Sequence, residues 1–317
     1  MATPRRQRIV YWGAGAFGIP TLRALATEQD LLAVVTQPDR PAGRGKTLSP
    51  SPIGTEAEAL NVSNILKPES CNTPEFRHSI RSLKADAWVV IAYGQKLGPK
   101  LLDGVFAINL HASLLPRWRG AAPIHAAVLA GDEEIGNSVI TLAEEMDAGS
   151  VLAQSRQPLN PAMTTGEHHD ELAEDGPALI REVLDRHAQG TVVYTEQDPS
   201  AVTLARKLSK DDRWVSFEEN ADSCRRRVHG LTPWPGVTVA FRGADLKLLE
   251  VEPAEADPDQ EGGTLIDAHA GIVACGNGTA LRLLEVQPSG RKPMAWSDFA
   301  NGVHPEDGER LIGRSKD

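Results

Sequence analysis

Five short apolar runs, separated by segments of helical composition, most constrain the fold of the first half of this chain. The runs predict strands at Arg8–Trp12, Leu31–Thr36, Ala87–Ala92, Val105–Leu110 and Ser138–Leu142. Helices such as Ile19–Thr27 and Thr55–Leu60 fit between them. Because strands that alternate with helices form parallel sheets covered on both faces, this pattern predicts a Rossmann-like α/β fold with a mostly parallel sheet.

The second half is built differently, from shorter apolar runs and glycine-containing turns. Its predicted strands lie at Val237–Phe241, Leu246–Val251, Ile272–Ala274 and Ala280–Val286. Gly276-Asn277-Gly278, just before the last of them, predicts a hairpin turn. Several short strands with glycine turns are typical of a small β-barrel.

A break in regular structure separates the two halves. Glu171–Gln189 has the apolar spacing of a helix, and Gly190 and Pro199 follow it. With 317 residues, the chain is long enough for two domains. The predicted boundaries are a first domain over 1–189, a linker over 190–209 and a small barrel domain over 210–317.

Composition excludes several classes of protein. The formal net charge of −10 counts against a protein that binds nucleic acid over its whole surface, although local basic clusters remain. The three cysteines are scattered and form no CxxC motif, which indicates reduced thiols in the cytoplasm. No apolar stretch approaches the ~20 residues of a membrane span, so no membrane partner is predicted.

Asn109 and His111 are the candidate catalytic residues that the residue pattern itself offers. They lie at the end of the fourth predicted strand and, two residues apart, would project from the same face. In open α/β sheets, ligands bind beyond the carboxyl ends of strands. A single Asn or His at such a place is usually an ordinary loop residue. Here both precede a proline- and glycine-shaped loop and a predicted helix at Ala122–Ala130, which favours an active site.

The run Asn109–Pro123 resembles the active-site segment of the 10-formyltetrahydrofolate-dependent formyltransferases. Its Arg-Trp-Arg-Gly-Ala-Ala-Pro-Ile form is most similar to members that act on methionyl-tRNA. Further similar segments are Gln37–Lys46 with Leu48–Pro52, Ala92–Gly94, Met146–Gly149, Pro233–Gly236, Val286–Gly290 and Asp298–Gly302. Such dispersed segments in the same order are highly specific, and they extend over nearly the whole chain.

The resemblance implies an activity and assigns roles to residues. It implies transfer of a formyl group from 10-formyltetrahydrofolate, as co-substrate, to the α-amine of initiator methionyl-tRNA. Asn109, His111 and Asp147 fall on the family's catalytic positions. Asn109, together with a charged His111, would stabilise the tetrahedral oxyanion, and Asp147 would orient the imidazole or a water molecule. Whether His111 acts first as base or as electrophile stays open. No metal is implied.

The resemblance also implies binding regions. The folate region consists of Tyr93, Gly94, Ser113, Leu114, Leu115 and Pro116. The predicted tRNA-binding residues are Arg40, Arg44, Lys46, Lys207 and Lys210. Members of the family often have a lysine at the position of Thr47 and another near Gly54. The absence of these lysines here would weaken contacts with phosphate. The barrel is expected to be OB-like and to assist tRNA binding, and the protein is expected to be monomeric.

Three alternatives compete with this interpretation. Gly13, Gly15 and Gly18 form a literal GxGxxG after the first strand, which would indicate an NAD(P)-dependent oxidoreductase. The resemblance favours a tight strand-to-helix turn there instead. A formyltransferase of the same superfamily could use another amine, such as glycinamide ribonucleotide or an amino sugar nucleotide, or water. A non-catalytic RNA-binding protein is least favoured, because all three catalytic residue types are present.

Overall fold

A computed structural model of the chain describes residues 6–42, 47–255 and 260–313. The strands are β1 (Arg8–Gly13), β2 (Asp30–Val35), β3 (Arg40–Ala42), β4 (Thr47–Ser49), β5 (Ile65–Leu66), β6 (Ala87–Ile91), β7 (Ala107–His111), β8 (Arg119–Gly120), β9 (Glu134–Ile135), β10 (Ser138–Thr141), β11 (Val151–Gln154), β12 (Gln157–Pro158), β13 (Leu204–Ala205), β14 (Val237–Phe241), β15 (Ala244–Glu255), β16 (Leu265–Asp267), β17 (Ile272–Cys275), β18 (Thr279–Pro288), β19 (Met294–Ala295) and β20 (Leu311–Ile312). The α-helices are α1 (Ile19–Glu28), α2 (Pro52–Ala59), α3 (Pro74–Ser82), α4 (Pro99–Leu102), α5 (Pro123–Ala130), α6 (Thr165–Gln189), α7 (Ala221–Leu231) and α8 (Trp296–Val303).

The chain forms two compact units, each assembled from three separate stretches of the sequence. The first unit consists of residues 1–119, 136–157 and 169–204, and the second of 120–135, 158–168 and 205–317. The second unit therefore includes α5 and the start of α6, which precede the predicted linker. The domain boundaries 1–189, 190–209 and 210–317 stay a prediction.

The first unit is built on a seven-stranded sheet in the order β11-β10-β7-β6-β1-β2-β5. The pairs β5–β2, β2–β1, β1–β6 and β6–β7 are parallel. Strands β10 and β11 pair antiparallel at one edge. The prediction of a mostly parallel α/β sheet is confirmed, and the strand predicted at Ser138–Leu142 is an antiparallel member of it.

Helices cover both faces of this sheet, which explains why its strands are apolar throughout. Four consecutive residues of β1, Ile9–Trp12, are fully buried, so neither face meets solvent. Trp12 packs against Trp88 and Phe76 on the face that also receives α3 and α4. On the other face, a β-carbon added at Gly176 of α6 would lie 2.7 Å from Leu110.

Strands β1 and β6 form the switch point of the sheet, because β2 follows on one side and β7 on the other. The turns after these two strands meet, since the Ala92 carbonyl accepts bonds from the amides of Ala14 at 3.2 Å and Gly15 at 3.4 Å. Ligand sites in open α/β sheets lie at such a point, outside the carboxyl ends of the strands. Asn109 and His111 lie at that end of neighbouring β7.

The glycines after β1 are explained by packing around Tyr11. The Tyr11 hydroxyl donates a hydrogen bond to the Gly18 carbonyl at 3.0 Å. A β-carbon at Gly18 would overlap that hydroxyl, and one at Gly13 would lie 2.7 Å from the Tyr11 ring. Packing around Tyr11 therefore accounts for glycine at two of the three GxGxxG positions.

The second unit contains a closed antiparallel barrel. Its sheet runs in the order β16-β17-β18-β15-β14-β20, with β19 added to β18. The two ends meet at a bridge between Thr264 and Arg310. The flanking hydrogen bonds, Leu265 amide to Glu309 carbonyl and Leu311 amide to Gly263 carbonyl, are both 2.8 Å. The predicted small barrel in the second half is confirmed.

Candidate active site

Strand β7 presents Asn109 and His111 from one face at the carboxyl end of the sheet. The strand was predicted at Val105–Leu110 but runs from Ala107 to His111, because His111 still pairs with Ser138 of β10. Asn109 pairs with Ile140 of the same neighbour. Since side chains alternate along a strand, the amide and the imidazole lie on one side of it, as the sequence predicted.

His111 lies between two oxygen atoms. Its ring is 7% exposed. Nε2 lies 3.0 Å from the Trp118 carbonyl, and Nδ1 lies 3.6 Å from Oδ2 of Asp147. Because a carbonyl oxygen can only accept a hydrogen bond, Nε2 must carry a hydrogen and donate a hydrogen bond to the Trp118 carbonyl. Nδ1 is thus the ring atom that remains for exchange with a substrate or with Asp147.

The loop between β10 and β11 carries Asp147 in a constrained backbone conformation. Asp147 has φ of +53°, in the left-handed region that side chains other than glycine rarely adopt. A β-carbon at Gly149 would overlap the Thr141 carbonyl, so this position requires glycine. The Asp147 side chain remains 15% exposed. The loop thus holds a carboxylate beside the imidazole while keeping it open to solvent.

Asn109 is the most available hydrogen-bond donor of the three residues. Its side chain is half-buried at the strand end. Its carboxamide makes no hydrogen bond to any other residue within 6–42, 47–255 and 260–313. An uncommitted carboxamide on the same strand face as an imidazole can donate to a carbonyl oxygen that gains negative charge.

The loop after β7 is pinned by internal hydrogen bonds. The Ser113 hydroxyl donates to the Arg117 carbonyl at 2.7 Å, and the Ser113 carbonyl accepts from Ser138 at 2.6 Å. Gln154 donates to the carbonyl of Leu115 at 2.9 Å. The Leu115–Pro116 peptide bond is cis. The three hydrogen bonds fix the path of the loop beside His111.

The predicted folate residues differ in what they expose. The side chains of Tyr93, Ser113 and Leu115 are buried. Leu114 and Pro116 are partly exposed, and Gly94 is exposed with φ of +86°. A ligand at this loop would therefore contact main-chain groups of Ser113 and Leu115 and the side chains of Leu114 and Pro116. Leu115 and Pro116 also line a cavity of about 310 Å³ together with Leu152, Gln154 and Gln197.

The predicted tRNA-binding residues are divided between the two units. Arg40 begins β3 in the first unit and is exposed. Lys207 and Lys210 are exposed in the second unit. Arg44 and Lys46 lie outside the described residues. Thr47 begins β4, and Gly54 lies in α2, where the Ser51 side chain caps its amide at 3.0 Å.

Three consecutive arginines of α7 are occupied within the second unit. Arg225 contacts Asp222 and the Pro161 carbonyl, and Arg226 donates to the Ala130 carbonyl at 3.2 Å. The Arg227 guanidinium lies 3.3 Å from the centre of the Trp214 ring, and burial lowers its pKa to about 10. The guanidinium groups of all three arginines therefore have partners within the second unit.

Two classes of feature are absent from the described part of the chain. No group of three or more His, Cys, Asp or Glu side chains in it is arranged to hold a metal ion. No helix in it combines the length and apolar character needed to cross a membrane.

Sequence comparison identifies the family. The profile of a family described as "Formyl transferase" matches residues 8–184. A second, described as "Formyl transferase, C-terminal domain", matches residues 207–304. The chain belongs to the formyl transferase family. This confirms the resemblance seen in the sequence, and it favours the packing explanation of Gly13 and Gly18 over a dinucleotide site.

Similar family members share nearly their full length with this chain. A methionyl-tRNA formyltransferase of Methylococcus capsulatus is 40% identical over 308 residues, covering 96% of this chain and 99% of that protein. One from Sorangium cellulosum is 39% identical over 314 residues, covering 97% and 100%. One from Bacillus velezensis is 34% identical, covering 96% and 97%.

Solved structures with the formyl transferase fold are more distant in sequence. WlaRD, a sugar 3N-formyl transferase, has a TM-score of 0.66 at 12% identity, covering 91% of this chain and 100% of that one. HypX from Aquifex aeolicus, in complex with tetrahydrofolic acid, has a TM-score of 0.61 at 15% identity. That match covers 98% of this chain and 51% of HypX. At these identities the similarity shows the fold alone.

Sequence reasoning missed the residues that hold the site from behind. Gln197 donates to the carbonyls of Asp147 and Gly149, and Thr203 binds the main chain of Trp118 and Arg119. Both lie in the segment predicted as a linker. Their bonds join positions far apart along the chain, so no periodicity or motif in the sequence could have indicated them.

Proposed function

We propose that this family member transfers the formyl group of 10-formyltetrahydrofolate to the α-amine of initiator methionyl-tRNA, giving N-formylmethionyl-tRNA for translation initiation. The observation that carries the proposal is the grouping of Asn109, His111 and Asp147 at the carboxyl end of the sheet, with 3.6 Å between His111 Nδ1 and Asp147 Oδ2. The acceptor is inferred from the full-length relatives, which are named methionyl-tRNA formyltransferases.

The first chemical step is attack of the neutral amine nitrogen on the formyl carbon. A carbon–nitrogen bond forms and the formyl oxygen becomes an oxyanion. Asn109 is the donor that the geometry leaves available for this oxygen. When charged, His111 supplies a second donor through Nδ1–H. One such donor contributes about 10²–10³ to the rate.

The second step returns the carbonyl and releases the folate nitrogen. The attacking nitrogen loses one proton to the Asp147–His111 pair, directly or through a water molecule. The same pair or water returns a proton to the folate nitrogen as its bond to the formyl carbon breaks, so tetrahydrofolate leaves as a neutral amine. Nε2 stays bonded to the Trp118 carbonyl at 3.0 Å, so Nδ1 and the carboxylate are the groups that exchange it. Positioned proton transfer contributes about 10²–10⁴ to the rate.

The remaining roles extend the same proposal. The folate co-substrate binds along the loop of Leu114, Leu115 and Pro116 and beside Tyr93 and Gly94. Exposed Arg40, Lys207 and Lys210 contact phosphates of the tRNA, together with Arg44 and Lys46. The protein acts in the cytoplasm as a monomer.

Direct formylation tests this proposal. The protein is incubated with 10-formyltetrahydrofolate and charged initiator tRNA, and formyl-methionine is measured after hydrolysis of the ester. Glycinamide ribonucleotide and an amino sugar nucleotide are supplied in parallel reactions. We expect transfer to methionyl-tRNA, and its loss in Asn109→Ala and His111→Ala with tRNA binding retained. Transfer only to another amine would contradict the proposed acceptor, and transfer to none would contradict the reaction.

A further inference from the structure

Gln197 joins three parts of the first unit through a single side-chain amide. Its Nε2 donates to the carbonyl of Asp147 at 2.7 Å and to that of Gly149 at 2.8 Å. Its Oε1 accepts from Nε of Arg119 at 2.9 Å. The partners fix the orientation of the amide, because a flipped group would place its oxygen against two carbonyl oxygens.

Thr203 makes matching contacts on the other side of His111. Its hydroxyl oxygen accepts from the Trp118 amide at 2.9 Å, and its carbonyl accepts from the Arg119 amide at 2.9 Å. The Trp118 carbonyl is the oxygen that lies 3.0 Å from His111 Nε2. Thr203 therefore holds the peptide that holds the imidazole.

Both groups beside His111 have backbone conformations that need external support. Asp147 has φ of +53° and Trp118 has φ of +65°. Residues other than glycine pay a free-energy cost in this region and remain there only when their surroundings fix them. The residues that bind them, Gln197 and Thr203, belong to one stretch, the 195–203 segment.

The 195–203 segment is itself anchored to the sheet. Thr195 pairs with Val151 at the start of β11 through two main-chain hydrogen bonds, of 2.9 and 2.8 Å. Gln197 follows two residues later and is half-buried. The edge of the sheet thus supplies a fixed base from which one amide reaches the Asp147 loop.

We propose that Gln197 is a positioning residue, which sets the distance between Asp147 and His111 by holding the Asp147 main chain, with Thr203 setting the Trp118 carbonyl on the opposite side of the ring. The inference rests on the proposed function for the importance of Asp147. It adds a role for a segment that the sequence predicted to be only a linker. Gln197 acts through Asp147 and does not contact the reacting atoms.

The kinetic test compares Gln197→Ala and Gln197→Glu with the exposed control Gln189→Ala at the end of α6. Displacing a reactive group by about 1 Å costs about 10²-fold in rate. We expect both Gln197 variants to lose about that factor in kcat, with the KM for methionyl-tRNA unchanged and the protein still folded at the assay temperature. Gln189→Ala should match the parent. Thr203→Val should also lower kcat, whereas Thr203→Ser, which keeps the hydroxyl, should restore it.

A double-mutant cycle separates positioning from general destabilisation. If Gln197 acts through Asp147, Gln197→Ala should have little further effect on kcat in an Asp147→Asn background. An equal loss in both backgrounds, or parent kcat in both Gln197 variants, would overturn the inference. So would a loss confined to KM.

A crystal structure of Gln197→Ala keeps this inference distinguishable from the proposed function. We expect the Asp147 main chain to shift and the separation of His111 Nδ1 and Asp147 Oδ2 to change from 3.6 Å. An unshifted loop would overturn the positioning role. A parent protein that transfers no formyl group to any amine would reject the proposed function, while the crystal structure would still decide the role of Gln197.

Discussion

Nδ1 of His111 faces Oδ2 of Asp147 at 3.6 Å, although His111 ends β7 and Asp147 lies in the loop between β10 and β11. This separation exceeds the usual 2.7–3.2 Å of a hydrogen bond. The two side chains are therefore neighbours that do not form a direct hydrogen bond in this structure. The other ring nitrogen is committed to the Trp118 carbonyl. Nδ1 and the Asp147 carboxylate therefore face each other, and Asn109 lies two residues before His111 on the same face of the strand. This arrangement suits proton transfer at a carbonyl.

The close approach of Gly149 to Thr141 predicts a sensitive position outside the catalytic trio. A β-carbon in Gly149→Ala would overlap the Thr141 carbonyl, so the Asp147 loop must move. We expect a loss of about 1–3 kcal/mol in unfolding free energy, typical of overpacking, and a larger relative loss in kcat than in substrate affinity. Denaturant unfolding and steady-state formylation measure the two effects.

Gly302→Ala is the matched control for this substitution. Gly302 lies in α8, and nothing lies within 4 Å of its added β-carbon. Parent-like turnover is expected for Gly302→Ala, with stability equal to the parent or slightly higher, since alanine is favoured over glycine in a helix. If Gly149→Ala behaved in the same way, the account of the Asp147 loop would be wrong.

The packing of Tyr11 predicts what the GxGxxG glycines do. Gly18→Ala should destabilise the fold by about 1–3 kcal/mol, because its β-carbon meets the Tyr11 hydroxyl. Gly18→Ala combined with Tyr11→Phe should recover part of that loss, since the hydroxyl is gone. Thermal unfolding with and without NADH completes the measurement. Stabilisation of the parent by NADH would instead support a dinucleotide site.

Five of the seven strands of the first sheet could be predicted closely, because burial of both faces makes them apolar throughout, whereas β5 and β11 were not predicted. Arg8–Trp12 was predicted and Arg8–Gly13 is observed.

In the barrel, strand β15 was predicted only at Leu246–Val251, yet it extends to Glu255. Its acidic end is held by pairing with β18, up to Glu255 opposite Thr279. That pairing depends on a distant segment, so local hydrophobicity did not indicate it.

In the candidate site, too, features that lie close together in the sequence could be predicted, whereas contacts between distant segments could not. Asn109 and His111 share a short strand, and the two-residue spacing predicted their common face. The resemblance to the family supplied Asp147. The support from Gln197 and Thr203 depends on hydrogen bonds across the folded unit, which leave no pattern in the sequence.

His229 predicts a loss of stability in mild acid. It is 1% exposed, Nδ1 donates to the Pro161 carbonyl at 3.2 Å, and Nε2 accepts from the Val251 amide at 3.2 Å. The ring is therefore neutral, and burial lowers the pKa of His229, with Arg225 acting in the same direction and Glu167 opposing it.

The sign of this effect follows from proton binding. Because the unfolded chain has an ordinary histidine pKa of about 6.5, it binds more protons than the native state as the pH falls through that value. The contribution of His229 is present above pH ~6.5 and is lost below it. Urea unfolding between pH 8 and 5 should show a smaller acid loss in His229→Gln than in the parent. Equal losses would contradict the role of the neutral ring.

Lys207 should contribute to tRNA binding through charge. Each phosphate contact changes the slope of log affinity against log salt concentration by about one. Lys207→Ala should therefore weaken methionyl-tRNA binding and flatten this slope, whereas kcat at saturating tRNA stays at the parent value. Lys292→Ala, an exposed lysine of the barrel unit, is the control. An unchanged slope in Lys207→Ala would remove Lys207 from the interface.

The single-turnover rate of formyl transfer to methionyl-tRNA by Asp147→Asn tests the central claim most directly. The variant keeps the shape of the side chain but removes the charge that faces His111 Nδ1. With both substrates saturating, the rate should fall by about 10²-fold or more, while tRNA binding stays unchanged. A rate within about twofold of the parent would contradict the account of how these three side chains act together.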